Sequence, residues 1–103
     1  MDLNKSVRMV VDAGKAELGT ERALKLALGG SAKLVVVAKN MARESRRDLE
    51  HYCRIAKVPV VEFDGTSIDL GTVCGKPFPV SALSVIDAGE SGILEAAKTG
   101  EIQ

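Results

Sequence analysis

The sequence is poor in aromatic residues and in residues that build metal centres or disulfide frameworks. Its 103 residues include no Trp, one Tyr, two Phe, one His and two Cys. A structural zinc site normally takes four Cys or His ligands, so no metal site is expected from His51, Cys53 and Cys74. No apolar run approaches the ~20 residues of a membrane span, and residues 1–5 do not lead into a signal-peptide core. We therefore expect neither secretion nor membrane insertion, and both cysteines should be buried thiols in a reducing cytosol.

The sequence also lacks an excess of charge of one sign. Fourteen basic residues balance fourteen acidic ones, which excludes an extended polybasic RNA-binding tail. The charge is nevertheless divided, because residues 1–57 carry twelve basic and seven acidic side chains and residues 58–103 carry two and seven. The densest basic segment is 39–47. This asymmetry allows an anionic partner, although a solvated helix face is the simpler account of one cluster.

What is present indicates one globular domain, residues 1–103. Apolar residues make up 46% of the chain and charged residues 27%, both typical of globular proteins. Periodicity and turn residues predict alternating helices and strands. The helices are expected at 2–12, 20–28 and 44–56, from a cap at Thr66 or Ser67 to about 74–75, and at 91–98. The strands are expected at 15–19, 34–38, 58–62 and 80–87. The order α-β-α-β-α-β-α-β-α predicts a three-layer α/β/α sandwich around a mostly parallel or mixed sheet.

Several local features support these elements. The continuous apolar run 34–38 is typical of a central strand covered on both faces. Pro59 indicates an end position or an edge strand. Thr20 is expected to cap the second helix. That helix should bury Leu24, Ala27 and Leu28.

Three loops could meet at one edge of such a sheet, where open α/β sheets place their ligands. In residues 18–22, a glycine precedes a helix start, where free N–H groups favour an anion. Residues 39–41 offer an amide, and residues 75–79 hold Phe78 between two prolines. Phosphate contacts, base-edge hydrogen bonds and stacking are what recognition of an irregular RNA uses.

An enzyme is less well supported. The chain has no phosphate-loop, dinucleotide-binding or nucleophile-elbow motif. Asp64, Asp69 and Asp87 lie in different loops, and Ser81 and Ser84 have no nearby base in sequence. A small cytosolic α/β enzyme or nucleotide-binding module remains an alternative.

Separate blocks of the sequence match one family. They are GSAKLVVVAKN from Gly30, LEHYCRIAKV from Leu49 and EFDGTSIDLGTVCGKPFPVSALSVIDAGESG from Glu62. In these blocks the chain resembles the archaeal and eukaryotic family of large-subunit ribosomal protein thirty-e, within the superfamily of kink-turn RNA-binding proteins. The similarity runs from the first helix to about Leu94. Agreement in several blocks is more specific than a single motif.

The resemblance implies a three-layer α/β/α sandwich with a four-stranded mixed sheet. It implies binding to a kink-turn in large-subunit ribosomal RNA, with no catalysis, cofactor, small-molecule substrate or membrane. A monomeric chain would then lie in the cytoplasmic ribosome beside neighbouring ribosomal proteins. The alternative within RNA binding is a kink-turn protein of a guide-RNA or RNA-processing particle, whose third loop is usually more aliphatic than GKPFPV.

The resemblance also assigns roles to loop residues. Gly19 should allow close backbone approach, Lys25 should meet phosphate or a guanine edge, Asn40 should bond a base of the sheared G·A pairs, and Phe78 should pack on an extruded or end base. The residues expected at the RNA are Gly19, Thr20, Glu21, Arg22, Lys25, Lys39, Asn40, Gly75, Lys76, Pro77 and Phe78.

Two positions depart from the family pattern. Glu21 stands where relatives usually have Lys, Arg or Asn, and a carboxylate is unfavourable beside phosphate, although it can accept from an exocyclic amine. Arg22 is expected to supply the cation from one position along. Pro79 replaces a polar or basic residue, which would reduce phosphate contacts in the third loop.

Overall fold

The computed structural model describes residues 3–13 and 15–87, which form four helices and four strands. The order of elements follows the predicted alternation. The helix predicted at 91–98 lies outside the described residues, and so does Gly14, the residue expected to end the first helix as its C-cap. The elements are α1 Leu3–Ala13, β1 Lys15–Leu18, α2 Thr20–Leu28, β2 Leu34–Val37, α3 Arg43–Ala56, β3 Val60–Glu62, α4 Ser67–Val73 and β4 Ala82–Asp87.

The four strands form one mixed sheet in the order β1-β4-β2-β3. Strand β4 pairs antiparallel with both β1 and β2, whereas β2 and β3 are parallel. The predicted mixed sheet is confirmed. Pro59 lies just before β3, which is an edge strand, and its carbonyl accepts from Val35 N–H. Because proline has no N–H to donate, β3 begins only at Val60, later than predicted.

Each face of the sheet is covered by a pair of helices. The alternation of side chains along β2 sends Leu34 and Val36 to one face and Val35 and Val37 to the other. The first face packs against α1 and α4 and the second against α2 and α3, giving the predicted three layers. All four β2 side chains are fully buried, which explains why this strand has no polar position.

The start and the packing of α2 differ from the prediction. Gly19, and not Thr20, is the N-cap residue, and no side chain caps the helix. The helix buries Ala23 and Ala27, while Leu24 is half-buried and Leu28 is 63% exposed. Apolar residues occur on several sides of α2, so their pattern does not determine which side of the helix faces the sheet. The small alanines face the sheet because they allow the helix to approach it closely.

Strand β4 begins two residues later than predicted. Val80 N–H donates to Ser67 O at the start of α4, so this residue is committed to a loop contact. Ser81 O accepts from Ala38 N–H. Among the described residues, no helix combines the length and the apolar character that crossing a bilayer requires.

Candidate nucleic-acid interface

The last residues of β1, β2 and β3 and the first residues of β4 lie together at one end of the sheet. In the sheet register Leu18 lies opposite Leu83, and Val37 lies between Ala82 and Glu62. The strands β1, β2 and β3 therefore end where β4 begins. The loops at this edge, residues 19–20, 38–42, 63–66 and 74–81, are called the loop edge below. It contains the three loops singled out from the sequence and a further one, 63–66, which the sequence reasoning missed.

Hydrogen bonds join the loops of the loop edge to one another and to the starts of β4 and α4. Gly19 N–H donates to Ala82 O at 2.9 Å, and Lys39 N–H donates to Gly65 O at 2.9 Å. Ser67 joins two loops, because its N–H donates to the Asn40 side chain and its carbonyl accepts from Val80 N–H. A shift in one loop is therefore transmitted to its neighbours.

The first loop presents an open backbone at the start of α2. Gly19 has φ 114° and ψ 151°, a region that is essentially restricted to glycine. A Cβ at this position would meet no described atom within 4 Å, so the space in front of the glycine is free. Because no side chain caps α2, the N–H groups of Thr20, Glu21 and Arg22 have no partner among the described residues. Such groups, with the helix dipole, are suited to a phosphate.

The charged residues of α2 lie on its exposed side. Glu21, Arg22 and Lys25 are all exposed, and Thr20 is half-buried. Arg22 Nε lies 3.9 Å from the Glu17 carboxylate, a long contact between side chains that are both largely exposed. Such a pair contributes little to stability, so Arg22 can be redirected to another anion. Lys25 has no ion-pair partner among the described residues.

The second loop holds the amide of Asn40 in a fixed direction. Asn40 Oδ1 accepts from Ser67 N–H at 2.8 Å. With the oxygen committed to α4, the Nδ2 group is the part of this exposed side chain that can donate to a ligand. Lys39 reaches Asp64 at 3.4 Å, but both side chains are mostly in solvent, so this ion pair is weak.

Loop 63–66, which the sequence reasoning missed, leads into the start of α4, where Ser67 N–H holds the Asn40 side chain. Thr66 and Asp69 form a capping box, in which Thr66 Oγ1 accepts from Asp69 N–H and Asp69 Oδ2 accepts from Thr66 N–H at 3.1 Å. A Cβ on Gly65 would lie 2.8 Å from the Phe63 ring, so the loop needs glycine to pass the buried aromatic. The Thr-x-x-Asp spacing signals this cap in the sequence, but the contact with Asn40 is visible only in the fold.

The third loop folds back on α4 and leaves an aromatic ring half-exposed. A Cβ on Gly71 would collide with the Phe78 carbonyl, so this glycine allows the loop to lie against the helix. Phe78 is 50% exposed. It lines a groove of about 390 Å³ that is completed by Ile68, Thr72, Lys76, Pro77 and Pro79. Sequence reasoning missed Ile68 and Thr72, which project from α4 into this groove.

The base of the third loop is held by a glycine and an arginine. Gly75 has φ 75°, and a Cβ on it would collide with the Arg8 guanidinium of α1. Arg8 is oriented by Asp12, 2.9 Å from its Nε. Burial raises the pKa of the Cys74 thiol just before this loop, although Lys76 and Arg8 act in the opposite direction. This thiol therefore stays neutral under the loop.

The residues expected at the RNA thus fall on one edge or next to it. Gly19 and Thr20, Lys39 and Asn40, and 75–78 belong to the loop edge, and Glu21, Arg22 and Lys25 follow along α2. No group of three His, Cys, Asp or Glu side chains able to hold a metal ion occurs in residues 3–13 and 15–87. The chemistry on offer at this edge is hydrogen-bond donation, positive charge and a ring.

Comparison with known proteins places the chain in a family. The chain is 45% identical over 101 residues to the large ribosomal subunit protein eL30 of Methanocaldococcus jannaschii, covering 98% of this chain and 92% of that protein. It is 47% identical to the eL30 protein of Methanococcus maripaludis over 94 residues, or 91% and 94% of the two chains. The eL30 protein of Methanothermobacter thermautotrophicus is 43% identical over 95 residues, covering 92% and 97%.

A solved structure supports the fold independently. A Bacillus halodurans protein described as having unknown function superimposes with a TM-score of 0.79 over 91% of this chain and 93% of that one, at 24% identity. The model of the family described as "Ribosomal protein L7Ae/L30e/S12e/Gadd45 family" matches residues 1–95. The three-layer fold, the close relatives and this match agree, and the chain belongs to the ribosomal protein L7Ae/L30e/S12e/Gadd45 family.

Proposed function

We propose that this protein is a structural component of the large ribosomal subunit that binds a kink-turn of ribosomal RNA through the loop edge. It acts in the cytoplasm as part of the ribosome, next to other ribosomal proteins, and catalyses no reaction. Residues 1–103 form one RNA-binding domain, which is a monomer when isolated. The observation that carries the proposal is the joined loop edge, with an open backbone, an oriented amide and an exposed ring side by side.

The open start of α2 is suited to the RNA backbone at the bend. A kink-turn brings phosphates close together and displays base edges that a regular A-form groove hides. The free N–H groups after Gly19 can donate to phosphate oxygens, and the missing Cβ lets the RNA approach the backbone. Lys25, two to three residues beyond that first turn, adds a cation on the exposed side of the same helix.

The oriented amide of Asn40 is suited to a base edge. A side chain that must bind a base loses less conformational entropy when it is already held in place. Here Ser67 N–H holds the oxygen, and the remaining Nδ2 group can donate to an acceptor on a base of the sheared G·A pairs. The assignment is specific, because a second acceptor in place of Nδ2 would face the base with the wrong polarity.

The groove of the third loop is suited to a base that the bend has pushed out of the stack. Phe78 offers a ring face, Ile68 an apolar wall and Lys76 a cation for the adjacent phosphate. An exposed ring of this kind stabilises single-stranded bases by stacking, with little dependence on base identity. Pro77 and Pro79 stiffen the loop on both sides of the ring, which lowers the cost of ordering it.

The Glu21 carboxylate is stabilised by its position in α2 and not by contact with the phosphates. It lies in the first turn of α2, where the helix dipole favours a carboxylate. From this position it can accept from an exocyclic amine of a base, while Arg22 turns from its long contact with Glu17 toward a phosphate. The proposed site therefore binds RNA more through recognition of base edges than through general attraction of its negative charge.

A gel shift with two RNAs tests the proposal. One RNA contains a kink-turn, and the other has its G·A pairs replaced by Watson–Crick pairs. We expect the protein to bind the first much more tightly at moderate salt, because only the bent RNA presents the base edges and the extruded base. Equal affinity for both RNAs would contradict specific recognition and leave only non-specific attraction.

A second measurement distinguishes the ribosomal assignment from a guide-RNA or processing particle. The protein should co-sediment with large ribosomal subunits in a native lysate and remain there after a moderate salt wash. Sedimentation with a smaller ribonucleoprotein particle, free of large subunits, would favour that alternative while leaving kink-turn binding intact.

A further inference from the structure

The densest basic segment of the sequence divides into two groups in the structure. Arg46 is committed to the fold, since its Nε is 2.9 Å from Glu50 and its Nη1 is 2.7 Å from Glu62 on the edge strand β3. Its side chain is only 30% exposed, so this fork ties α3 to the sheet. Arg43 and Arg47 are exposed and form no ion pair with any described residue.

The free arginines of α3 share one side of the helix. Positions 43, 47 and 54 are separated by four and seven residues, so at 3.6 residues per turn they lie within about 40° of one another. Arg54 is also exposed and has no ion-pair partner in the part of the chain that the structure describes. We call Arg43, Arg47 and Arg54 the α3 arginine stripe. Glu44 and Asp48 lie about 100° further round, on the other flank of the exposed surface.

The stripe runs from the loop edge along the flank of the molecule. Arg43 is the first residue of α3 and follows Asn40 by three positions. Arg54 lies eleven residues later, about 16 Å further along the helix axis at 1.5 Å per residue. Arg46, Glu50, Arg54 and Glu62 line a cleft of about 330 Å³ between α3 and β3 on this side. Glu50 lies within the stripe, but its charge is offset by Arg46.

We propose that the α3 arginine stripe is a second RNA-binding surface, which takes the phosphates of a strand that continues from the kink-turn; the assignment rests on the proposed function. Arginine binds phosphate through a planar fork of donors and is weakly hydrated, so it loses little on leaving water. Arg43 and Arg47 are separated by about 6 Å along the axis, which allows them to contact different phosphates of one strand. The stripe begins where the bound kink-turn would end.

An acidic protein partner fits the surface less well. Tight protein interfaces are centred on buried aromatic or aliphatic anchors. The exposed apolar residue of α3, Ile55, lies about 120° from Arg43 around the helix, outside the stripe. The Glu50 carboxylate within the stripe is paired with Arg46, so the unpaired charges along the stripe are those of its arginines, which suit phosphate.

The test compares RNAs that do and do not reach the stripe. The short RNA contains the kink-turn alone, and in the longer RNAs one stem or the other is extended. The double variant Arg43→Gln/Arg47→Gln keeps good helix formers at exposed positions, so the fold should be retained. The control is Lys15→Gln/Lys33→Gln, which removes the same charge from exposed positions at the opposite end of the sheet.

We expect the double variant to bind the short RNA within about twofold of the parent and one extended RNA about tenfold more weakly. The salt dependence of binding to that RNA should become shallower by about 0.7–0.9 for each phosphate that the variant no longer neutralises. The control variant should match the parent on every RNA. A double variant that binds all RNAs like the parent would overturn the proposal. An equal loss of affinity in the control variant would also overturn it, because the protein would then attract RNA through its net charge alone.

Two outcomes separate this surface from its alternatives. If the double variant binds all RNAs normally but no longer enters large subunits, the stripe faces a protein and the RNA assignment is wrong. If the parent does not distinguish the kink-turn from its G·A-replaced form, the proposed function fails. The difference between variant and control on the extended RNA still decides whether the stripe binds RNA.

Discussion

The two ends of the sandwich are closed in different ways. At the loop edge, bonds such as Lys39 N–H to Gly65 O and Ala38 N–H to Ser81 O connect loops that are far apart in sequence. At the opposite end, residues 28–33 and 57–59, the turns after α2 and α3 are closed by local bonds such as Val58 N–H to Cys53 O. Their long-range bonds, Lys33 N–H to Val85 O and Val35 N–H to Pro59 O, join each turn to a strand and not to the other turn. We call this opposite region the far end.

The loops of the loop edge therefore form one coupled surface, whereas the turns of the far end are independent of one another. A change in one turn of the far end should leave the other turn unaffected, because no hydrogen bond among the described residues joins residues 28–33 to residues 57–59. A change at the loop edge should alter its neighbours, and the surface that they form, because each loop supports another. Mutations matched between the two ends can break or sharpen this comparison.

The largest effect is expected from Asn40→Ala. The change removes the Nδ2 donor to the base and the acceptor for Ser67 N–H together. Without its hydrogen bond to a base, RNA binding should weaken by about 1–3 kcal/mol, and without the acceptor for Ser67 N–H the free energy of unfolding should fall by about 1 kcal/mol. Gel shifts and urea unfolding measure the two effects separately.

Asn40→Asp separates the two roles of that side chain. The carboxylate still accepts from Ser67 N–H, so stability should stay near that of the parent. The donor to the base is removed, so RNA affinity should fall as far as in Asn40→Ala or further. If Asn40→Asp binds the kink-turn like the parent, Asn40 supports α4 but does not recognise a base.

This dual role of Asn40 shows where sequence reasoning ends. The position of Asn40 after β2 follows from the apolar run 34–38, because a run of that length predicts a buried strand and the next polar residue begins its loop. Its contact with Ser67, 27 residues away, depends on how two loops meet. Local patterns carry no information about such a contact.

The same limit applies to helix packing and to the groove. The amphipathic pattern located α2 within one residue, but it placed Leu28 inside, where the structure has Ala23. The rotation of α2 is decided by the close approach to the sheet. Likewise Phe78 was recognised from its loop, whereas Ile68, 65% exposed on α4, becomes part of the groove only when the loop folds back over Gly71.

The next largest effect is expected from Phe78→Ala. Removing the ring from the groove should weaken kink-turn binding by about 1–3 kcal/mol, the usual value for one base stacked on an aromatic side chain. Because the ring is half-exposed, the free energy of unfolding should change little. Leu28→Ala at the far end, 63% exposed, removes a similar exposed apolar surface and should leave RNA binding unchanged. Equal binding by Phe78→Ala and Leu28→Ala would contradict a stacking role.

Gly19→Ala and Gly30→Ala compare the two ends at the level of the backbone. Both glycines have positive φ, 114° and 69°, and a Cβ on either would meet no described atom within 4 Å. Each change should therefore destabilise the fold through strain alone, by about 1–2 kcal/mol at Gly19 and about 1 kcal/mol at Gly30.

Only Gly19→Ala should also weaken RNA binding, since its methyl group would point into the space that the RNA backbone is proposed to occupy. Thermal unfolding and gel shifts below the unfolding transition give the two quantities. A variant Gly30→Ala with the same decrease in RNA affinity would show that the two ends are not independent.

The smallest effect is expected from Lys25→Ala. Lys25 is exposed on α2 and has no ion-pair partner among the described residues, so its charge is available to a phosphate. Removing one phosphate contact should weaken binding uniformly across kink-turn sequences and reduce the slope of log affinity against log salt concentration by about one. Lys33→Ala removes the same charge at the far end and should leave both quantities at the parent value. If the two variants reduce the slope equally, the loop edge attracts RNA through net charge and Lys25 makes no phosphate contact of its own.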